Sequence, residues 1–334
     1  MALYNRLLVA STLLAFFVIG LGAYVRLSDA GLGCPDWPGC YGHWLGVPDA
    51  AHEQLAAQQA FPMQPVNTGK AWKEMTHRYF AGTLGLLILG LSLQSWRKDC
   101  RRIRSPIVPT ALLGIVGFQA ALGMWTVTLL LKPIIVTLHL LGGMATLGLL
   151  VALNFRKPLV RPLYIAHWLR LAAALALLVV VAQITLGGWV SSNYAALACI
   201  DFPRCQGEWQ PLMNFAQAFS LNRDLGNATD GNPLPTDALT AIHLSHRVGA
   251  IATIITAGIL VIGLIKTGQR HWQGWGLLLL ILMTTQAGLG IANVLFSLPL
   301  TLAIAHNLGA ASLLSVTMAI NIQLHQAKNH PASD

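Results

Sequence analysis

The chain has 334 residues, of which 55% are hydrophobic and only 10% are charged, and its formal net charge is +9. Soluble domains carry about 25% charged residues, so this chain has too few to cover a water-facing surface. The length excludes a small secreted disulfide scaffold, and the hydrophobicity excludes a disordered or nucleic-acid-binding chain. The composition therefore predicts an all-α polytopic membrane protein, with a lipid bilayer and no nucleic acid as its partner.

Eight segments are long and apolar enough to cross a bilayer, which requires about 20 residues each. The first follows Arg6 and resembles a signal peptide, but its length and its lack of a small-residue cleavage site favour an uncleaved helix. The predicted spans are about 7–25, 77–96, 107–130, 133–154, 170–190, 243–265, 274–296 and 299–322.

Basic residues concentrate on one side of these spans. They comprise Arg6, the cluster of Arg97, Lys98, Arg101, Arg102 and Arg104, a second cluster of Arg156, Lys157, Arg161 and Arg170, then Lys266, Arg270 and Lys328. Because cytoplasmic loops are enriched in Lys and Arg, this bias predicts that both termini are cytoplasmic. The long loops at about 26–76 and 191–242 then face outward.

Cysteine placement agrees with this orientation. Cys34 and Cys40 lie in the first long outer loop, Cys199 and Cys205 lie in the second, and Cys100 lies in a cytoplasmic loop. An oxidising exterior permits disulfides, which predicts two short bridges, Cys34–Cys40 and Cys199–Cys205. A zinc site formed by all four outer cysteines is the alternative, although structural zinc pairs usually have fewer intervening residues.

The chain also contains an internal repeat. Residues 22–44 recur as residues 187–209, with Cys34, Cys40 and their surrounding Gly, Asp, Pro and Trp positions matched without a gap. Three later matches follow in the same order: His77-Arg78 with His246-Arg247, Gln119 to Gly123 with Gln286 to Gly290, and His139 with His306. Each repeat holds four spans, an even number, so both enter the membrane from the same side. We expect two pseudo-symmetric four-helix bundles, residues 1–158 and 159–334, related by an axis along the membrane normal.

The histidines of the repeat are candidate metal ligands. His77 and His139 lie at similar depth near the outer ends of two spans, and His246 and His306 repeat this arrangement. Two imidazoles that face each other at one depth can bind both axial positions of a haem iron. A single histidine at a membrane edge more often makes interfacial hydrogen bonds, but the recurrence of the pair predicts one haem site in each bundle.

Other polar residues of the spans have two open interpretations each. Arg78 and Arg247 are expected either to neutralise haem propionates or to extend towards lipid head groups. Gln119 and Gln286 are expected to make interhelical hydrogen bonds, with contact to haem or substrate as the alternative.

The two halves differ at one position beside the histidines. Glu74 precedes His77 by three residues and shares its helix face, whereas His243 holds the matching position before His246. A carboxylate beside one pair and an imidazole beside the other predict two sites with different tasks. The alternative for Glu74 is an exposed first-turn residue favoured by the helix dipole. A di-iron site is excluded, since it requires several inward carboxylates.

Taken together, these motifs resemble haem A synthase. The resemblance rests on GAYVRLSDAGLGCPDWPGCYG at 22–42, EMTHR at 74–78, QAALG at 119–123 and the spans that contain His139, His246 and His306, and it covers about residues 7 to 322. It implies a bacterial inner-membrane oxidoreductase that converts haem O to haem A for terminal oxidases. The methyl group at porphyrin C8 would become a formyl group by successive hydroxylations and loss of water.

The resemblance also implies roles for individual residues. The N-terminal bundle, with His77, His139 and the acidic Glu74, would hold the substrate haem O, and one of the two histidines would release the iron during turnover. The C-terminal bundle, with His246 and His306, would hold a haem b that transfers electrons. The pair Cys34 and Cys40 matches the outer-loop pair of the family. A haem O synthase (farnesyltransferase) and terminal oxidase assembly factors are the expected protein partners.

Two other functions fit parts of the pattern. A di-haem b-type electron-transfer cytochrome has the same histidine pairs. A transporter also contains repeats of several spans, but it predicts a colourless protein and broken helices at mid-membrane, whereas these histidines lie near one face.

Pigment extraction distinguishes these functions. We expect acid-acetone extracts of the purified protein to contain haem O or haem A alongside haem b, identified by chromatography and optical spectra. Haem b alone would favour the electron-transfer cytochrome, and an extract without haem would favour the transporter.

Overall fold

The computed structural model describes residues 2–156, 164–229 and 231–329. It confirms the predicted all-α architecture: within this part of the chain, eight helices are long and apolar enough to cross a membrane. Two of the predicted basic residues, Lys157 and Arg161, lie outside the described residues, as does the predicted domain boundary between residues 158 and 159.

The helices follow the predicted spans in order. They are α1 (Ala2–Leu27), α2 (Ala51–Ala60), α3 (Thr68–Trp96), α4 (Lys98–Arg101), α5 (Ile107–Thr128), α6 (Pro133–Phe155), α7 (His167–Ser192), α8 (Phe215–Ala218), α9 (Thr236–Lys266), α10 (Arg270–Leu295) and α11 (Leu300–Gln326), and a 3₁₀ turn covers Ala195–Leu197. Two-residue strands, β1 (Tyr164–Ile165) and β2 (Lys328–Asn329), pair in parallel.

Two helices begin well before the apolar runs that predicted them. We expected His77 to open the second span, but α3 begins at Thr68, and α9 likewise begins at Thr236, ahead of His246. The Asn67 side chain accepts a hydrogen bond from the backbone N–H of Lys70 and caps α3. A cap and packing with the outer loop sustain polar helical turns that a hydrophobicity count does not detect.

The chain divides into two compact units. Unit 1 comprises Met1–Thr146 and Ser220–Leu234, and unit 2 comprises Leu147–Phe219 and Pro235–Asp334. Within unit 1, α3 packs between α1 and α5. Helix α6 approaches α5 at Gly123, whose Cα faces the His139 ring.

Unit 2 is a closed bundle of four helices. Helix α7 packs against α9 and α11, and α10 packs against the same two helices. The fully buried Trp272 lies in the core, and alanines such as Ala173 and Ala257 lie at its helix interfaces. Small residues let helix backbones approach closely, which is the usual source of association energy in a bilayer.

A glycine pair on α9 tests this packing. A Cβ at Gly263 would overlap the Trp168 ring and lie 2.5 Å from Leu169 Cδ2, whereas a Cβ at Gly258 would meet no atom within 4 Å. We expect Gly263→Ala to lower the free energy of unfolding by about 1–3 kcal/mol. Both changes raise helix propensity equally, so Gly258→Ala is the control. Thermal unfolding in detergent measures the difference, and equal midpoints for the two variants would contradict the packing.

Candidate haem sites and their outer loops

The four predicted ligands occupy four different helices. His77 lies on α3 and His139 on α6, both in unit 1; His246 lies on α9 and His306 on α11, both in unit 2. The ring centroids of His246 and His306 are 6.4 Å apart, with the ring planes at 77°. Metal–nitrogen bonds are about 2 Å long, and roughly 1 Å separates each ring centre from its donor atom. Two imidazoles on one metal therefore have centroids about 6 Å apart, which this pair matches.

In unit 1, His77 and His139 each lie against a glycine of a neighbouring helix. Within the described residues, no group of three or more His, Cys, Asp or Glu side chains is placed to hold a metal ion. A pair of imidazoles is the donor set that haem iron accepts at its two axial positions.

Each imidazole lies against a glycine of a neighbouring helix. An added Cβ at each glycine would lie 3.0–3.5 Å from the Cε1 atom of its histidine. The pairs are Gly22 with His77, Gly123 with His139, Gly187 with His246 and Gly290 with His306. Contacts of 3.0–3.1 Å are tighter than most Cβ contacts, so at three of the four positions a side chain would push the ring by a few tenths of an ångström or more.

The ring nitrogens are arranged as expected for ligands. In His77, His139 and His306 the Nδ1 atom is buried and has no hydrogen-bond partner among the described residues, while each side chain as a whole stays partly accessible. A ligating histidine binds metal with one nitrogen and directs the other at protein groups. The backbone carbonyls of Gln119 and Gln286 lie beside the rings of His139 and His306. The residues present therefore fit a haem in each unit.

Three glutamines contact the histidine helices. Gln286 Nε2 donates to the backbone carbonyl of His306 over 2.9 Å, which confirms an interhelical hydrogen bond for this residue. Gln183 Nε2 donates to the carbonyl of His246 over 3.0 Å and lies 3.1 Å from its Nδ1 atom. The Gln119 amide lies against Gly142 of α6.

Sequence reasoning missed Gln183. Its first-half counterpart at the 165-residue offset is Val18, so the repeat alone does not reveal it. The indication lay in a spacing instead: Gln183 precedes the glycine that faces a ligand by four residues, as Gln119 and Gln286 do.

Glu74 is part of a buried network in unit 1. Its side chain is nearly inaccessible, with 5% of the residue exposed, so the interpretation as an exposed first-turn residue is wrong. The backbone N–H of Cys34 donates to Glu74 Oε2 over 3.0 Å, and Arg78 Nη2 donates to Oε1. The helix starts two turns earlier than expected, which places Glu74 beneath the outer loop instead of at an exposed end.

The two arginines bind the outer loops. Arg78 Nη1 donates to the carbonyl of Asp36 over 3.0 Å and also to that of Gly39. Arg247 donates to the carbonyls of Asp201 and Arg204, each over 2.8 Å. Their predicted contact with haem propionates stays a prediction; the Nε atom of Arg247 is buried and has no hydrogen-bond partner among the described residues.

Each outer loop is closed by a disulfide. Cys34 is joined to Cys40 with a Cα–Cα distance of 4.8 Å, and Cys199 to Cys205 with 4.7 Å. Because all four outer-loop cysteines are joined in these two disulfides, they do not form the zinc site that was the alternative.

A carboxylate inside each loop accepts backbone hydrogen bonds. Asp36 accepts from the N–H groups of Tyr41 and Gly42, and Asp201 accepts from those of Gln206 and Gly207. The hydrogen bond from Gly207 holds the pKa of the Asp201 carboxyl below its ordinary value.

His243, the counterpart of Glu74, has a different partner. It is buried, and its Nδ1 atom lies 3.1 Å from the carbonyl oxygen of Ala195. The Ala195 carbonyl accepts a hydrogen bond from the ring N–H, whereas Glu74 accepts hydrogen bonds from Cys34 and Arg78. The polar group beside the histidine pair is thus a carboxylate that accepts hydrogen bonds in unit 1 and an imidazole that donates one in unit 2.

Comparison with known proteins agrees with the resemblance found in the sequence. Residues 5–318 match the model of the COX15-CtaA family, described as cytochrome oxidase assembly protein. The chain is 44% identical to heme A synthase of Shewanella oneidensis over 311 residues, which cover 91% of both chains. It is 26% identical to heme A synthase of Bacillus licheniformis, covering 89% of this chain and 88% of the relative. For heme A synthase of Granulibacter bethesdensis the identity is 28%, covering 97% and 88%.

Two glycines of α10 test the ligand contacts. A Cβ at Gly290 would lie 3.1 Å from His306 Cε1, whereas one at Gly288 would meet no atom within 4 Å. We expect Gly290→Val to displace the His306 ring and to reduce haem in unit 2 by about tenfold or more. Gly288→Val carries the same side chain on the same helix and should keep its haem. Pyridine haemochrome assays measure the content; equal haem in both variants would contradict the contact.

Proposed function

The chain belongs to the COX15-CtaA family, and from this premise we propose that it is a membrane oxidoreductase that converts haem O to haem A. The reaction oxidises the methyl group at porphyrin C8 to a formyl group, and the product serves terminal oxidases. The observation that supports this most strongly is the pairing of imidazoles in each unit together with a buried carboxylate beside only one pair. Relatives that cover nine tenths of the chain bear the name heme A synthase.

In the proposed arrangement the two units have different tasks. Unit 1 binds the substrate haem O through His77 and His139, and unit 2 binds a haem b through His246 and His306. The support for this division is the difference between Glu74 and His243, since an electron-transfer site does not need a carboxylate beside its ligand. A bound haem b supplies one-electron redox chemistry, which amino-acid side chains lack.

The side chains of unit 1 orient the substrate and control charge near it. Gly22 and Gly123 leave room for the His77 and His139 rings to approach the neighbouring helices, and these two histidines would hold the haem. Glu74 is held in place by the Cys34 N–H and by Arg78. Its carboxylate oxygens stabilise positive charge that develops near the reacting methyl group, and Oε1 or Oε2 is the atom that holds a transferred proton.

The outer loops position these groups. Because Arg78 binds both Glu74 and the carbonyls of the Cys34–Cys40 loop, closing that loop fixes the carboxylate. Arg247 binds the carbonyls of the second loop. We place these loops over the outer ends of the haem sites, with the propionates towards them.

The proposed orientation follows the charge bias of the sequence. Both termini lie in the cytoplasm, and the loops at about 26–76 and 191–242 face outward, across the bacterial inner membrane. Disulfides in these two loops support the oxidising side. The two halves, residues 1–158 and 159–334, form pseudo-symmetric four-helix bundles; the recurrence of the glycine, arginine and aspartate contacts supports this. Haem O synthase (farnesyltransferase) and terminal oxidase assembly factors are the proposed partners.

Substitution of Glu74 tests the function. We expect Glu74→Gln to keep haem binding but to lower the rate of haem A formation by about 100-fold or more, because the amide carries no charge and takes no proton. Chromatography of extracted haems after expression with haem O synthase measures the product.

Glu53→Gln is the matched control. Glu53 also accepts two backbone hydrogen bonds in the first outer loop, but it is only partly buried and lies on α2, outside the site. Full activity of Glu74→Gln, or equal losses in both variants, would refute the role of Glu74.

A further inference from the structure

Three of the four haem histidines share one contact. In each case a glutamine lies on the neighbouring helix, four residues before the glycine that faces the ring. Its amide packs onto a second glycine, which lies three residues after the histidine on the helix of the histidine itself. A Cβ on any of these three glycines would overlap the amide. The sets are Gln119 with Gly142 for His139, Gln183 with Gly249 for His246, and Gln286 with Gly309 for His306. We call this the glutamine contact.

His77 has no such set. The residue four positions before Gly22 is Val18, and the residue three positions after His77 is Phe80. The valine side chain has no hydrogen-bond donor, and phenylalanine stands at the position where the other three sets have glycine. Phe80 instead packs edge-on against Phe17 of α1, with ring centroids 5.0 Å apart.

The glutamine contact restrains a ligand directionally. The amides of Gln183 and Gln286 donate to the backbone carbonyls of their histidines over 3.0 and 2.9 Å. Such a bond fixes the ligand-bearing turn to the helix that carries the ring-facing glycine. The Phe17–Phe80 contact contains no hydrogen bond, and both residues are exposed, at 48% and 38%.

The neighbours of His77 are held more firmly than His77 itself. Glu74 and Arg78 lie one turn and one residue away and are bound to the first outer loop. These bonds keep α3 and the carboxylate in place, and none of them is made by the His77 side chain. The ring is thus able to leave without moving Glu74.

We propose that His77 is the exchangeable ligand of the haem in unit 1 and that His139, on a turn against which the Gln119 amide packs, is the permanent one. This inference rests on the proposed function, because only an oxidising site needs an open iron position. In the exchange the coordinate bond between His77 and iron breaks, the electron pair stays on the imidazole nitrogen, and no group is oxidised or reduced.

Alanine variants of the two ligands test the assignment. In the full-length purified protein, His77→Ala should keep haem O and haem A at wild-type ratio to haem b, as a five-coordinate high-spin haem held by His139. His139→Ala should lower that ratio about tenfold. Chromatography of extracted haems gives the ratio, and resonance Raman spectra give the coordination number.

The outcomes separate the two proposals. If His77→Ala loses the unit 1 haem as completely as His139→Ala, or if only His77→Ala loses it, the assignment of the exchangeable ligand is wrong while the proposed function stands. A wild-type protein that contains haem b alone overturns the proposed function and this inference with it.

A second experiment adds the missing contact. Carbon monoxide binds a six-coordinate ferrous haem only after one ligand leaves, so its binding rate at saturating concentration reports ligand release. We expect Val18→Gln with Phe80→Gly to slow this rate at the unit 1 haem about tenfold through the added hydrogen bond. Val18→Leu with Phe80→Gly opens the same space without an amide and should not slow it. Equal rates in the two double variants would contradict the role of the contact.

Discussion

The close approach of an imidazole to a helix backbone is the contact on which both candidate sites depend. Gly22 and Gly187 allow it at 3.1 and 3.0 Å from a would-be Cβ, and Gly290 allows it at 3.1 Å. Because interiors are densely packed, a methyl group added there would push the ring out of its place. The distance between each histidine ring and the neighbouring helix sets the distance between the two rings of a pair. That distance decides whether both rings fit one iron. Small residues at helix interfaces, which membranes favour for packing, here also set the geometry of the ligands.

The outer loop of unit 1 links an oxidised cysteine pair to the buried carboxylate. Cys34 contributes its backbone N–H to Glu74, and Arg78 joins Glu74 to the carbonyls of Asp36 and Gly39. A carboxylate in a bilayer is costly unless it is paired and hydrogen-bonded. The loop meets that cost from outside the helices, which explains why a long, polar, disulfide-closed segment lies at the end of a helix bundle. His243 needs no such pairing, since a neutral imidazole satisfies one carbonyl.

The division between the units follows from small departures within one repeated pattern. Both pairs of histidines face glycines, yet only unit 1 has the carboxylate, and only His77 lacks a glutamine on its turn. The two halves differ in residue type at matched positions. Glu74 corresponds to His243, which changes the charge beside the histidine pair, and Phe80 corresponds to Gly249, which removes the glutamine contact. The proposed division into one site for oxidation and one for electron transfer rests on these differences.

The sequence alone determined the eight spans, the family and the four candidate ligands, because hydrophobic runs and recurring motifs are local and need no tertiary contact. It missed the early starts of α3 and α9, since capping by Asn67 and packing with a loop sustain turns that are not apolar. It missed Gln183 as well, and it left Arg78 between two interpretations. Those features depend on which side chains meet across helices. Only the folded chain places the Gln183 amide on Gly249 and the Arg78 guanidinium on loop carbonyls, because these partners lie about 40 to 66 residues away in the sequence.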